Sequence, residues 1–195
     1  MNNADTILQA KAPVVMVPNH EALAPLERGR RYLAARQGLF VEVARDWLYA
    51  CVPLGTAVRL PYGILEPVVK IQLPDLRPLF GAFVEYAQSE LPKEVAAWIV
   101  RDGTGDFRLH PLEARSSSGV HIEYERPKLQ GGDELVVDLH SHGRMTAFFS
   151  ETDDVDDIGQ VKIAGVFGEV HRPTPSRVFR LCLHGHFVPV EEGAL

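Results

Sequence analysis

Cysteine is scarce: Cys51 and Cys182 are the only two in 195 residues. Each sits inside an apolar, strand-like run, so both read as buried free thiols rather than a disulfide or metal ligands. Long hydrophobic stretches are missing as well. No window approaches the ~18 uninterrupted apolar residues of a membrane span, so no membrane partner is expected. The first residues, MNNADTILQAKAP, lack the charged-then-apolar order of a signal peptide. Those absences make a cytoplasmic chain the expectation. Positive charge is not concentrated either. Net charge is −6, and the nearest basic run, Arg28, Arg30 and Arg31, reads as a solvated face. Nucleic acid is therefore not an expected partner.

What is present is the make-up of a globular protein, 46% apolar and 24% charged, and long enough to bury a sizeable core. Residues 1–72 hold short Val-, Leu-, Tyr- and Phe-rich runs broken by Gly and Pro. Pro13–Val17, Leu39–Ala44, Trp47–Val52 and Val68–Leu73 read as strands. Gly38, Pro53, Gly55, Pro61, Gly63 and Pro67 read as turn residues. Leu26, Arg30, Leu33 and Ala34 share one side of a helical wheel, which predicts a helix over Ala24–Gln37 with Pro25 in its first turn. His20 beside Glu21 reads as a loop histidine. This part is expected to be a small, mostly β module of unknown role.

At Asp75 the pattern changes. Leu76, Leu79, Phe80, Phe83, Val84, Ala87 and Leu91 recur at helical spacing and predict an amphipathic helix, Leu76–Glu90. Asp75 is its expected N-cap, Pro78 falls in the first turn, and Pro92 ends it. Glu94–Val100 follows as a strand apolar on both faces except for its first residue. Asp102–Asp106 reads as a turn, and Phe107–Leu112 and Gly119–Glu125 as strands around a loop, Arg115–Ser118. Leu135–Leu139 leads into His140, and Val161–Val170 and Val178–Val190 are later strands before a polar tail, Glu191–Leu195. The fold class is therefore α+β, or mixed α/β, over residues 73–195.

The chemistry concentrates in Leu135–Asp157, where His140, His142, Ser150 and Asp153 form the pattern H-x-H, seven residues, S-x-x-D. Two histidines two apart on a strand share a face, and a carboxylate a short loop later can close with them around one metal ion. Each piece alone has a plainer reading. Ser150–Asp153 is also a capping box, and Asp153, Asp154, Asp156 and Asp157 suit the positive end of a short helix. The chain carries its own control in His184-Gly185-His186, which repeats the histidine spacing without an acid or serine behind it and reads as a turn with two surface histidines. The conjunction is what discriminates. At this chain's residue frequencies, all four positions coincide in roughly six chains per ten thousand.

These residues resemble the JAMM signature of the JAB/MPN zinc metalloproteases: an upstream glutamate, then H-x-H, then S-x-x-D. In that family the glutamate opens the first long strand after a helix and often follows a proline, which matches Leu91-Pro92-Lys93-Glu94-Val95. Glu85 and Glu90, within the helix, match less well, as do Glu113 and Glu123 on other strands. More narrowly, Phe148–Asp154 behind a β-rich module resembles the protein A family of the plasmid-associated PRTRC cassette. The chain departs from many relatives in carrying Gly143 where they have proline.

The resemblance implies a JAB/MPN domain, a central mixed sheet flanked by helices as in the cytidine deaminases. It implies one Zn²⁺ per chain on His140, His142 and Asp153, with water in the fourth position, Glu94 as general base and acid, and Ser150 as an oxyanion donor. Asp138 on the same strand face is a candidate to orient an imidazole, and Arg144 and Met145 to line a groove. The implied reaction is metallopeptidase or isopeptidase cleavage at the tail of a ubiquitin-like protein or its conjugate. Proteins resembling ubiquitin-activating or ubiquitin-conjugating enzymes (E1-like, E2-like) would be encoded nearby. The alternatives are a non-catalytic scaffold of the same fold, a purely structural zinc site, and a deaminase, whose H-x-E and P-C-x-x-C pattern is absent.

Overall fold

The computed structural model describes residues 3–55, 60, 62–117, 122–124 and 128–195. The chain divides into two compact units, Met1–Pro74 and Asp75–Leu195.

The first unit comprises α1 (Asn3–Lys11), β1 (Val14–Met16), β2 (Gly29–Ala35), β3 (Gly38–Ala44), β4 (Leu48–Gly55) and β5 (Val68–Ile71). Its five strands lie in chain order, β1 parallel to β2 and the rest antiparallel. The helix expected over Ala24–Gln37 is wrong: half of that stretch is β2, paired with β3 from Gly29↔Ala44 to Ala35↔Gly38. The physical reason is visible in its burial. Arg31, Leu33 and Ala35 go inside while Arg30, Tyr32 and Ala34 do not, a period of two that only a strand provides. Leu33 lies opposite Phe40, and both join a cluster with Val17, Ala35 and Cys51.

Arg31 also corrects the expectation of a solvated basic face. It is buried, forms an ion pair with Glu42, and donates from Nη2 to the Ala24 carbonyl at 2.5 Å. The Tyr49 hydroxyl donates to the other Glu42 oxygen at 2.9 Å. Arg28 does sit at the surface, paired with Asp46 at 2.8 Å. His20 is exposed, and Pro61 lies outside the described residues.

The second unit comprises α2 (Arg77–Ser89), β6 (Ala96–Arg101), β7 (Phe107–Pro111), β8 (Ala114–Ser117), β9 (Ile122–Tyr124), β10 (Glu134–Ser141), α3 (Glu151–Asp157), β11 (Val161–Gly168), β12 (Ser176–Leu183) and β13 (His186–Val190). Six strands form one mixed sheet in the order β13-β12-β11-β10-β6-β7, in which only β10 and β11 run parallel. β8 and β9 pair as a separate ribbon, so the expected loop Arg115–Ser118 is largely strand, with Ser118 outside the described residues. The expected strand Gly119–Glu125 is described only at β9.

Period-two alternation gives this sheet two different faces. Leu139, Ile163, Phe167 and Phe179 share one face, on which Phe167 and Phe179 meet α2, whose buried Phe80, Phe83 and Ala87 recur at i, i+3 and i+7. The Phe80 ring lies 5.2 Å from Phe179 and the Phe83 ring 5.4 Å from Phe167. Truncating Phe83, which is fully buried, to alanine would cost about 3–5 kcal/mol. Leu76, not Asp75, is the N-cap of α2. Asp75 instead accepts from the Arg77 backbone N–H at 3.0 Å and from its guanidinium.

The opposite face carries Asp138, His140, Lys162 and Arg180. Because β10 and β11 are parallel, the chain must cross over between them, and α3 lies in that crossover. The crossover starts at the carboxyl end of β10, where open sheets place their ligands. The polar tail is pinned rather than loose. The Leu195 carbonyl accepts from the Leu76 N–H at 3.1 Å, and Arg177 pairs with Glu192 at 2.8 Å.

Candidate metal centre

His140 is the penultimate residue of β10, and His142 follows just beyond its end. The ladder continues past the strand: the His142 N–H donates to the Phe167 carbonyl at 2.8 Å. Extended backbone at both positions turns the two rings to one side, as the spacing predicts. Their Nε2 atoms come within 3.2 Å of each other. Asp153 enters from the first turn of α3 and brings Oδ1 to 3.5 Å from His140 Nε2. One ligand atom from each of the three residues lies within 4.8 Å of the others.

The sequence's two readings of Ser150–Asp153 prove to be one arrangement. Ser150 is the N-cap of α3, and its Oγ accepts from the Asp153 N–H at 3.2 Å. In return Asp153 Oδ2 accepts from the Ser150 N–H at 2.6 Å and from its hydroxyl at 2.7 Å. The capping box therefore occupies Oδ2 and orients Oδ1 toward the histidines. Gly143 has φ +53°, in the left-handed region closed to proline, whose φ is near −65°. The loop after His142 thus follows a path that a proline at this position would not permit.

Glu94 lies two residues before β6 rather than within it. The Ser141 N–H donates to the Val95 carbonyl at 2.9 Å, extending the β6–β10 pairing to that point, and the Val95 N–H donates to the Ser141 hydroxyl at 3.0 Å. Alternation then puts Glu94 on the face of Ala96, which lies opposite His140. Glu94 is buried, and burial together with the Asp153 charge pushes its carboxyl up to about 7. Burial also lowers both imidazoles below the usual histidine value. For His140 the carboxylates of Asp153, Asp138 and Asp157 oppose that shift, and for His142 the neighbouring His140 adds to it.

This donor set fits a divalent metal ion. Two imidazoles held neutral, with ring nitrogens converging and a carboxylate oxygen beside them, are in the protonation state that ligation needs. Three protein donors would leave one position of a four-coordinate ion open.

Sequence reasoning named Asp138 but missed the basic groups behind this site. Asp138 is buried, and its Oδ2 accepts from Lys162 Nζ at 2.5 Å. Lys162 also reaches Asp157 Oδ1 at 2.8 Å. Arg180 binds Asp157 Oδ2 at 2.6 Å, while its guanidinium lies 3.9 Å from the Phe149 ring and 4.0 Å from that of Phe187. The available signal was a charge inside an apolar strand, Lys162 in VKIAGVFG and Arg180 in RVFRLCL. Cys182 is a buried free thiol, as is Cys51, and burial lifts the Cys182 thiol to about 12. At the rim Arg144 and Met145 are exposed, and Phe148 sets its ring edge-on to His142 at 4.6 Å.

The family model for prokaryotic homologs of the JAB domain matches residues 76–182. The chain belongs to that family. With it comes the fold class anticipated above, a mixed α+β JAB domain preceded by a mostly β module. The first unit matches a separate family described only as a domain of unknown function, DUF2016, over residues 2–72. No curated protein matches the chain. Among solved structures, protein DSY2949 from Desulfitobacterium hafniense is similar at 16% identity and a TM-score of 0.45, covering 59% of this chain and 87% of its own. Among the described residues, no helix of this JAB-domain protein is long and apolar enough to cross a membrane.

Proposed function

We propose that this JAB-domain protein is a zinc metallopeptidase or isopeptidase that hydrolyses a peptide or isopeptide bond at the tail of a ubiquitin-like protein. The observation that carries the reading is the convergence of His140, His142 and Asp153 within 4.8 Å beside a buried Glu94 raised to about 7. His140 Nε2, His142 Nε2 and Asp153 Oδ1 would hold the ion. When bound, Zn²⁺ supplies a Lewis acid and brings the pKa of a coordinated water from about 15.7 toward ~7.

The remaining steps belong to side chains. Glu94, poised near neutrality, accepts the proton of the attacking water and passes one to the leaving amine. Ser150 donates to the oxyanion as the scissile carbonyl becomes tetrahedral. Its hydroxyl bonds Asp153 in the resting arrangement, but its backbone N–H grips the same oxygen. The hydroxyl is therefore able to turn toward substrate without releasing the carboxylate. An extended tail would bind by strand addition, with main-chain hydrogen bonds supplying affinity. Proteins resembling ubiquitin-activating or ubiquitin-conjugating enzymes are the proposed partners that would attach what this enzyme removes.

The test couples metal analysis with cleavage of a ubiquitin-like fusion protein. Wild type should bind one zinc and cleave. Glu94→Gln should keep the zinc and lose about 10²–10⁴ in rate. A Glu94→Gln variant that cleaves normally would sink the general-base assignment. Stoichiometric zinc without cleavage of any ubiquitin-like fusion would favour the non-catalytic scaffold.

A further inference from the structure

The two elements that carry the converging side chains meet at one buried ammonium. Asp138 precedes His140 by two residues on β10, so both leave the same strand face. Asp157 follows Asp153 by four residues in α3, one helical turn along the same side. Lys162 Nζ lies between them, 2.5 Å from Asp138 Oδ2 and 2.8 Å from Asp157 Oδ1. All three residues are buried. Burial acts to lower the Lys162 pKa, but the two carboxylates, Asp138 foremost, outweigh it and hold the pKa above the ordinary lysine value.

The way α3 is attached makes this bridge more than an ion pair. A seven-residue helix does not hold together in isolation. Such helices are usually fastened by an apolar face, but Val155 and Ile158 at the C-terminal half of this segment are 68% and 62% exposed. The one buried residue of α3 is Asp157. What fastens the helix is therefore the capping box at one end and charged groups at the other: Lys162 on Asp157, and Arg180 on Asp157 and Asp154.

We propose that Lys162 is a positioning residue of the metal centre. By joining Asp138 on the strand of His140 to Asp157 on the helix of Asp153, it sets the separation of the imidazole and carboxylate donors. The inference rests on the metal-binding reading of His140, His142 and Asp153.

The test uses the full chain and reads metal binding, not turnover. The charge-balanced double variant Asp138→Asn/Lys162→Met removes one charge of each sign and leaves Asp157 paired with Arg180. Ile163→Val, on the same strand but on the α2 face, serves as a stability control. The double variant is expected to bind Zn²⁺ about 10–100-fold more weakly, the range typical for groups that orient metal ligands. It should also change the visible spectrum of bound Co²⁺, while Ile163→Val keeps the affinity and spectrum of wild type. Should the double variant not fold, Asp138→Asn alone preserves shape and is expected to show a several-fold loss with the same spectral change. Wild-type affinity and spectrum in the folded variants would overturn the proposal and leave Lys162 a contributor to stability alone. A wild-type protein that binds no stoichiometric metal would overturn the metal reading itself, and the bridge's role with it.

Discussion

His140-Ser141-His142 and His184-Gly185-His186 share one spacing within one unit, but among the described residues it is the first pair that groups with a carboxylate at metal-ligand distances. The first leaves β10 in extended backbone, and ladder bonds from Ser141 to Val95 and from His142 to Phe167 keep it so. Successive even positions then face one way, and the two Nε2 atoms meet at 3.2 Å. In the second pair His184 has φ 52° and Gly185 φ 86°, which reverse the chain between β12 and β13. His186 returns on the next strand, opposite Leu183. Both of its histidines are half-buried rather than fully exposed. Ligand spacing carries meaning only when the backbone between the ligands is known, and when a third element delivers an acid.

The comparison can be broken most sharply at the histidines themselves. His140→Ala should lower zinc affinity on the order of 10³-fold or more, whereas His184→Ala and His186→Ala should leave it unchanged. Calorimetric titration of metal into each variant reads this directly, and equal losses in both pairs would erase the distinction.

A smaller effect concerns pH in the metal-free protein. The Glu94 carboxyl titrates near 7 when folded and near 4.5 when unfolded, so the unfolded chain gives up this proton first. Stability from this group is therefore lost as pH rises from about 4.5 through 7, by on the order of 2–3 kcal/mol. Burial of His140 and His142 acts oppositely, lowering stability as pH falls below the ordinary histidine value. Denaturant titrations of wild type and Glu94→Gln at pH 5 and pH 8 should show the variant losing less stability across that interval. Parallel curves would remove Glu94 from the explanation.

The smallest effect belongs to the second pair. Gly185 sits at φ 86° with open space around its Cα. Gly185→Ala should therefore cost only the backbone strain, about 1–2 kcal/mol in thermal unfolding, with zinc affinity untouched.

Much of the second unit was legible in the chain because its signals are local. The stripe of Phe80, Phe83 and Ala87 predicts α2, and the capping box at Ser150 predicts where α3 starts. The first unit misled at Ala24–Gln37, where a helical spacing of apolar residues coincided with a strand whose partner lies beyond a turn. Pairing with Phe40 and Glu42 decided the matter, and helical periodicity cannot report a partner that the chain reaches only after turning. Arg31 was misread for the same reason: without Glu42 opposite, an arginine belongs in water.

The sequence by itself determined which side chains are available and where short-range order places them: the H-x-H pair at a strand end, the serine and aspartate that cap a helix, and the glutamate behind a proline. Tertiary structure alone decided that Glu94 faces the same site, that its carboxyl is raised, and that Lys162 bridges β10 and α3. Each of those depends on desolvation or on charges brought together from distant parts of the chain. Such interactions exist only once the sheet has assembled, because water screens and solvates the same groups in the unfolded chain.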